Sequence, residues 1–204
     1  MEIVFLPGAS GSTDFWKPVK DGFDHHYSTK VISYPSFGGY APHPQVQSMA
    51  DLQNHVLSQI EQPSILIAQS MGGIFAVQAA LQKPDLILAM VLVATSGGID
   101  LKPFEVKDWR HEYSHSYDVP HWFIDDHTRL DDRLTEIQVP ILLIWGDQDP
   151  ISPVEVGEYL DKQFKLSQLK IIQNGQHDLA NVHADECIEF IQQFILKYFT
   201  KTSE

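Results

Sequence analysis

The chain has 204 residues, 43% hydrophobic and 20% charged, which is the composition of one globular domain of ordinary size. Its formal net charge of −13 argues against nucleic acid or an anionic membrane as partner, since both bind basic surfaces. The single cysteine, Cys187, excludes an internal disulfide framework, and no apolar run is long enough for membrane insertion. The first residues carry no signal-peptide pattern, so we expect a cytoplasmic protein.

Six apolar runs of strand length alternate with helical patterns. The runs are continuously apolar, which is typical of strands covered on both faces of a parallel sheet. The predicted strands are Glu2–Leu6, Lys30–Ser33, Ser64–Ala68, Ala89–Ala94, Pro140–Trp145 and Leu169–Ile172. The clearest helical periodicities span Gln45–Ile60 and Asp185–Phe199, and Cys187 reads as a small core residue of the second. This order predicts an α/β fold: a doubly wound, mainly parallel six-stranded sheet with helices on both faces.

One long segment interrupts the alternation. Residues 96–139 are rich in aromatic and histidine side chains and too long for a simple loop. We therefore expect a short inserted cap within a single domain of residues 1–204.

Four aromatic residues are candidates for the wall of an apolar substrate pocket. Trp109 and Trp122 lie in the predicted cap, Trp16 follows the first strand, and Phe37 follows the second. The alternative is that the cap aromatics pack the cap onto the body and that Trp16 covers the first helix against the sheet.

A serine lies between small residues at a predicted strand-to-helix turn, in Ala68-Gln69-Ser70-Met71-Gly72-Gly73. This pattern is typical of a nucleophile elbow, where a crowded turn needs small neighbours and the free N–H groups of the helix start can stabilise an oxyanion. The alternative is a glycine-rich helix start with Ser70 as an ordinary N-cap.

A serine hydroxyl needs a base and an orienting carboxylate, and in open α/β sheets these groups follow the carboxyl ends of strands. His177 follows the last predicted strand and is the candidate base. Asp147 and Asp149 both follow the preceding strand. Spacing alone does not choose between them, and either could instead stabilise a turn.

With serine, aspartate and histidine in this order, nearly the whole chain resembles the α/β-hydrolase superfamily. The matching segments are Leu6–Gly11, the elbow, Trp145–Pro153 and Gly175–His177. The resemblance implies Asp149 as the acid, the backbone N–H groups of Ala9 and Met71 as oxyanion donors, and neither metal nor organic cofactor.

Three features depart from that superfamily. Pro7 stands where a histidine is usual, Ala68 replaces the first glycine of the elbow, and the first strand resembles the superfamily's third. The backbone donors do not depend on the replaced side chains.

The sequence thus predicts a serine hydrolase that cleaves a small-molecule carboxylic ester or thioester through an acyl-enzyme. One alternative is a lyase or carbon–carbon hydrolase acting on an anionic keto acid, motivated by the cap residues Arg110, Arg129 and Arg133. Another is a non-catalytic ligand-binding protein of the same fold. The sequence indicates neither the substrate nor the oligomeric state.

Overall fold

Six parallel strands form a single sheet in the computed structural model, which describes residues 1–107, 113 and 119–199. The order across the sheet is β2-β1-β3-β4-β5-β6. The strands are β1 (Glu2–Leu6), β2 (Ser28–Val31), β3 (Ser64–Gln69), β4 (Ile87–Val93), β5 (Ile141–Gly146) and β6 (Ser167–Ile172). Every neighbouring pair runs parallel, which confirms the predicted fold class.

Helices cover both faces of this sheet. They are α1 (Lys17–Asp21), α2 (Met49–Ser58), α3 (Met71–Gln82), α4 (His121–Ile124), α5 (Val154–Gln163), α6 (Leu179–Val182) and α7 (Ala184–Phe199), with 3-10 turns at Thr13–Trp16 and Asp131–Glu136. One apolar cluster joins α2, α3 and α5 to one face, and a second joins α1 and α7 to the other. Within the described ranges, no helix has the length and apolar character that crossing a membrane requires.

Alternation along β1 shows why the inner strands are apolar throughout. Val4 and Leu6 belong to the cluster on one face, whereas Ile3 and Phe5 belong to the cluster on the other. Both sets are fully buried. A polar residue at any of these positions would lie in one core or the other.

Several predicted boundaries differ from the structure, and two of these differences have a clear local cause. The second strand begins at Ser28, two residues before the predicted start, because its register with β1 pairs Ser28 with Glu2. Helix α2 begins at Met49 and not at Gln45, because Ser48 caps it: the Ser48 hydroxyl accepts the Asp51 N–H at 3.1 Å and donates to the Asp51 carboxylate at 2.7 Å.

The sheet brings distant parts of the chain to one edge. In a parallel sheet, all carboxyl ends lie at the same edge, so the loops that follow the strands meet there. Pro7 follows β1, Ser70 follows β3, Asp149 lies in the loop after β5, and His177 lies in the loop after β6.

Candidate active site

Ser70 occupies a strained turn between β3 and α3. Its backbone has φ 52° and ψ −121°, a conformation that side-chain-bearing residues rarely adopt. The Ser70 N–H donates to Val93 O at 3.1 Å, and Ser70 O accepts the Gly73 N–H at 3.0 Å. A Cβ on Gly72 would lie 2.4 Å from the backbone oxygen of Leu6, so β1 itself requires glycine at that position.

His177 and Asp149 continue a hydrogen-bonded chain from this serine. His177 Nε2 lies 3.0 Å from Ser70 Oγ, and His177 Nδ1 lies 2.8 Å from Asp149 Oδ2. Because a carboxylate only accepts hydrogen bonds, Nδ1 carries the proton and Nε2 is left to accept the serine O–H. The imidazole is therefore held in the tautomer that can take a proton from Ser70.

Backbone groups fix the second oxygen of Asp149. Asp149 Oδ1 accepts the N–H groups of Ile151 at 2.8 Å and Ser152 at 3.0 Å, and the side chain is fully buried. Asp147, the other aspartate of the segment, is exposed. The structure therefore places Asp149, and not Asp147, against the imidazole.

The backbone N–H groups of Ala9 and Met71 are unused by the rest of the described chain. Neither donates to another atom within those residues. Ala9 follows β1, Met71 begins α3, and both line the same cavity as Ser70 and His177. Free donors beside a nucleophile can receive a developing oxyanion.

Two polar side chains that the sequence analysis missed hold the site together. Thr95 Oγ1, after β4, donates to Ser70 O at 2.6 Å and accepts the Gly97 N–H at 3.0 Å. Gln69 Nε2 donates to the backbone oxygen of His177 at 3.1 Å. Their signal was present in the sequence, since each is a polar residue at the carboxyl end of a buried strand.

A cavity of ≈ 640 Å³ lies directly above Ser70. Its walls are mainly aliphatic and aromatic side chains from α2, α3 and the segment between β4 and β5: Met49, Met71, Ile74, Ile99, Leu101, Phe104, Val106, Tyr113 and Phe123. The rest of the lining includes charged residues, among them Asp100, Lys102, Lys107 and Arg129. The arrangement suits a ligand with an apolar body.

The three described residues among the predicted pocket aromatics occupy other positions. Trp16 is a correction: it is fully buried on the opposite face of the sheet, 5.4 Å from Phe5 between ring centroids. Phe37 and Trp122 also lie outside the lining. Phe37 is fully buried behind the wall and contacts Trp122 at 5.9 Å and Phe123 at 5.4 Å, and of the three only Phe123 reaches the cavity. Trp109 lies outside the described residues.

The arginines of the predicted cap are paired with carboxylates where they are described. Arg129 bonds Asp100 at 3.2 Å and Asp131 at 2.8 Å, although it lines the cavity. Arg133 bonds Glu136 at 2.9 Å, and both side chains are about half exposed to solvent. Arg110 lies outside the described residues. The carboxylates neutralise the two described guanidinium groups.

Known proteins that are similar to this chain are alpha/beta hydrolases and esterases. The sequence pattern of the alpha/beta hydrolase family matches residues 3–190. A pimeloyl-[acyl-carrier protein] methyl ester esterase of Hamiltonella defensa is 22% identical over 98% of this chain and 95% of its own length, and that of Pectobacterium carotovorum is 22% identical over 95% and 93%.

Solved structures match over similar spans. A thermophilic esterase from Thermogutta terrifontis superposes with a TM-score of 0.79 at 17% identity, covering 98% of this chain and 91% of that one. A carboxylesterase from Bacillus subtilis gives 0.75 at 17% identity, covering 95% and 83%. At these identities the structural likeness shows a shared fold.

Proposed function

The chain belongs to the alpha/beta hydrolase family, and from the geometry around Ser70 we propose that it is a serine hydrolase that cleaves carboxylic esters. The observation that carries this proposal is the continuous hydrogen-bonded chain from Ser70 through His177 to Asp149. It opens onto a cavity large enough for a small-molecule substrate.

The first half of the reaction follows from the atoms that face one another. Ser70 Oγ attacks the ester carbonyl carbon while His177 Nε2 takes the hydroxyl proton. Asp149 holds the imidazole and stabilises the imidazolium, and the N–H groups of Ala9 and Met71 bind the oxyanion. The carbon–oxygen bond to the alcohol then breaks, and Nε2 returns its proton to the leaving oxygen. An acyl-serine remains.

The second half releases the acid. Water attacks the acyl carbonyl, and His177 Nε2 takes one of its protons. The bond to Ser70 Oγ then breaks and the serine recovers its proton. All protons move through one imidazole, so this sequence uses only side chains and backbone groups described above.

The cavity supports a substrate with an apolar acyl or alkyl part. Aliphatic and aromatic side chains form most of its wall, and polar and charged side chains line the remainder. The two relatives described above are named methyl ester esterases. Their names favour an oxygen ester as the substrate over the thioester that the sequence also allowed. We expect short or medium acyl chains on a small alcohol.

The segment of residues 96–139 is proposed to act as the cap over this cavity. Its described parts supply a large share of the wall, including Ile99, Phe104 and Phe123. On this proposal residues 1–204 form one catalytic domain, and the cap determines the acyl chain length.

The lyase alternative loses its main support. The arginines that motivated it are paired with carboxylates where they are described: Arg129 with Asp100 and Asp131, and Arg133 with Glu136. The non-catalytic alternative is also disfavoured, because a pure binding protein does not require the strained φ of 52° at Ser70.

Active-site labelling tests the proposal. A fluorophosphonate probe is expected to modify the wild-type protein once, at Ser70, and p-nitrophenyl esters are expected to be hydrolysed. The Ser70→Ala variant should lose both properties, whereas Ser58→Ala, which removes an exposed hydroxyl at the end of α2, should keep them. Equal labelling of wild type and Ser70→Ala would refute the assignment. A panel of acyl lengths on ester and thioester leaving groups then defines the substrate class.

The cytoplasm remains the proposed location, because a single cysteine suits a reducing compartment. Fractionation of cells expressing the tagged protein tests it.

A further inference from the structure

Ala9 of the loop Pro7–Gly11 lines the cavity, and its backbone N–H is the proposed oxyanion donor. Pro7 has neither an N–H group nor a polar side chain, and Gly8 has no side chain at all. We propose that Tyr34 is the positioning residue that holds this oxyanion donor in place, through its hydrogen bond to the carbonyl oxygen of Pro7. The proposal rests on the proposed function, in which Ala9 binds the oxyanion.

Tyr34 is built into the core as a fixed donor. Its side chain is fully buried, and its hydroxyl donates to Pro7 O at 2.9 Å. The ring contacts Phe75 at 5.3 Å and Phe37 at 6.2 Å, both nearly edge-to-face. Burial raises the pKa of Tyr34 well above its ordinary value, so the phenol keeps the proton that it donates.

Two hydrogen bonds fix the two peptide planes on either side of Gly8. Tyr34 fixes the Pro7–Gly8 plane through its carbonyl. The Gly11 N–H fixes the Gly8–Ala9 plane, because it donates to Gly8 O at 2.9 Å. In a trans peptide the N–H points opposite to the C=O, so the Ala9 N–H is directed away from Gly11. Ala9 itself lines the cavity beside Ser70.

Gly8 makes the external anchor necessary. Glycine has more backbone freedom than any other residue, so a loop built around it needs fixed points on both sides. A side chain cannot supply the stiffness instead, because a Cβ on Gly8 would lie 2.2 Å from Gln69 Oε1 and 3.2 Å from Ser70 Cβ. Within the described residues, the hydroxyl of Tyr34 is the side-chain group that hydrogen-bonds to the Pro7 carbonyl.

The expected kinetic effect follows from when the oxyanion exists. The negative oxygen is present only in the transition state and the tetrahedral intermediate, so a less well oriented donor lowers kcat and leaves KM almost unchanged. Loss of a whole oxyanion donor costs on the order of 100- to 1000-fold in kcat. Loss of its anchor leaves the donor present but poorly held, and we expect about a 10-fold loss.

The test is Tyr34→Phe, which removes only the hydroxyl and keeps the ring. Activity is expressed per serine that the fluorophosphonate labels at completion, which corrects for any fraction of unfolded protein. We expect kcat on p-nitrophenyl butyrate to fall by about 10-fold with KM within twofold. The inhibition constant of a trifluoromethyl ketone, whose Ser70 adduct carries an oxyanion, should rise by a similar factor. That of the corresponding alcohol, which forms no adduct, should not change.

A stability control separates positioning from folding. Ile191→Val shortens a fully buried side chain of α7 on the far face of the sheet, where a cost similar to that of a buried hydroxyl is expected. It should keep the wild-type kcat. If Tyr34→Phe is too unstable at the assay temperature, both variants are measured in sucrose, which favours the folded state.

Two results would contradict the proposal. A Tyr34→Phe variant with wild-type kcat and an unchanged ketone constant would show that the hydroxyl serves stability alone. Equal losses in Tyr34→Phe and Ile191→Val would show the same. Failure of the proposed function is distinguishable, because the wild-type protein itself would then neither turn over the ester nor take the label at Ser70.

Discussion

Replacement of Asp149 by asparagine tests the order of the hydrogen-bonded chain at its buried end. The two side chains have the same shape, but one carboxylate oxygen becomes an NH₂ group. Asp149 Oδ1 accepts two backbone N–H groups, from Ile151 and Ser152, so the amide oxygen must take that position. The NH₂ group then faces His177 Nδ1, 2.8 Å away in the wild type.

The consequence is a change of tautomer. An NH₂ group can only donate, so Nδ1 must become the acceptor and the imidazole proton moves to Nε2. Nε2 then points an N–H at Ser70 Oγ and cannot take its proton. We expect kcat to fall by about 10³- to 10⁴-fold, equivalent to about 4–5.5 kcal/mol in the activation free energy, with KM little changed.

Asp147→Asn is the matched control, because Asp147 lies two residues away in the same loop and is exposed. Both variants are assayed for hydrolysis of p-nitrophenyl butyrate and for the rate of fluorophosphonate labelling. Wild-type behaviour is expected for Asp147→Asn. An Asp149→Asn variant within tenfold of wild-type activity, or equal losses in the two variants, would refute the change of tautomer.

Three further predictions address the elbow, the cavity and the buried thiol. Gly72→Ala places a methyl group against the Leu6 carbonyl, so the free energy of unfolding in urea should fall by about 1–3 kcal/mol; an unchanged value would contradict the close contact. Ile74→Trp fills the cavity from α3, so kcat/KM for an octanoyl ester should fall at least about 10-fold while that for an acetyl ester is kept; equal losses would show that the wall does not select chain length. Burial raises the pKa of the Cys187 thiol to about 12, so between about pH 9 and pH 12 only the unfolded state loses the proton. The free energy of unfolding should then fall with pH by about 1.4 kcal/mol per unit more steeply than in Cys187→Ala, and parallel curves would contradict this.

The inner strands were predictable because each is buried on both faces. The bounds predicted for β1, Glu2–Leu6, are those of the structure, and β3 extends only one residue beyond Ala68. The edge strand β2 begins with Ser28 and Thr29, which have no apolar signal, and only pairing with β1 defines its start. The local apolar pattern therefore predicts the bounds of a fully buried strand, whereas the bounds of an edge strand depend on its register with its neighbour.

In the candidate site, too, some residues were predictable from local sequence and others depend on the tertiary structure. Chain order and strand ends were enough to select Ser70 and His177, but Asp149 and Asp147 are equivalent until the loop has a conformation. The pocket was less predictable. Trp16 and Phe37 are fully buried away from the cavity, whereas Ile74 and Phe123 line it, and only the packing of whole elements against one another decides which apolar side chain does which.

Because β6 lies at an edge of the sheet, we expect activity to be lost under milder conditions than those that unfold the protein. β6 pairs with β5 alone and is partly exposed along most of its length, and the loop that carries His177 follows it. Strands of this kind open locally at a lower free energy than the core, while the central strands keep Ser70 in place. As the denaturant concentration or the temperature rises, hydrolytic activity should therefore be lost before the helical structure unfolds. The temperature range over which this hydrolase is active should then be narrower than the range over which it stays folded.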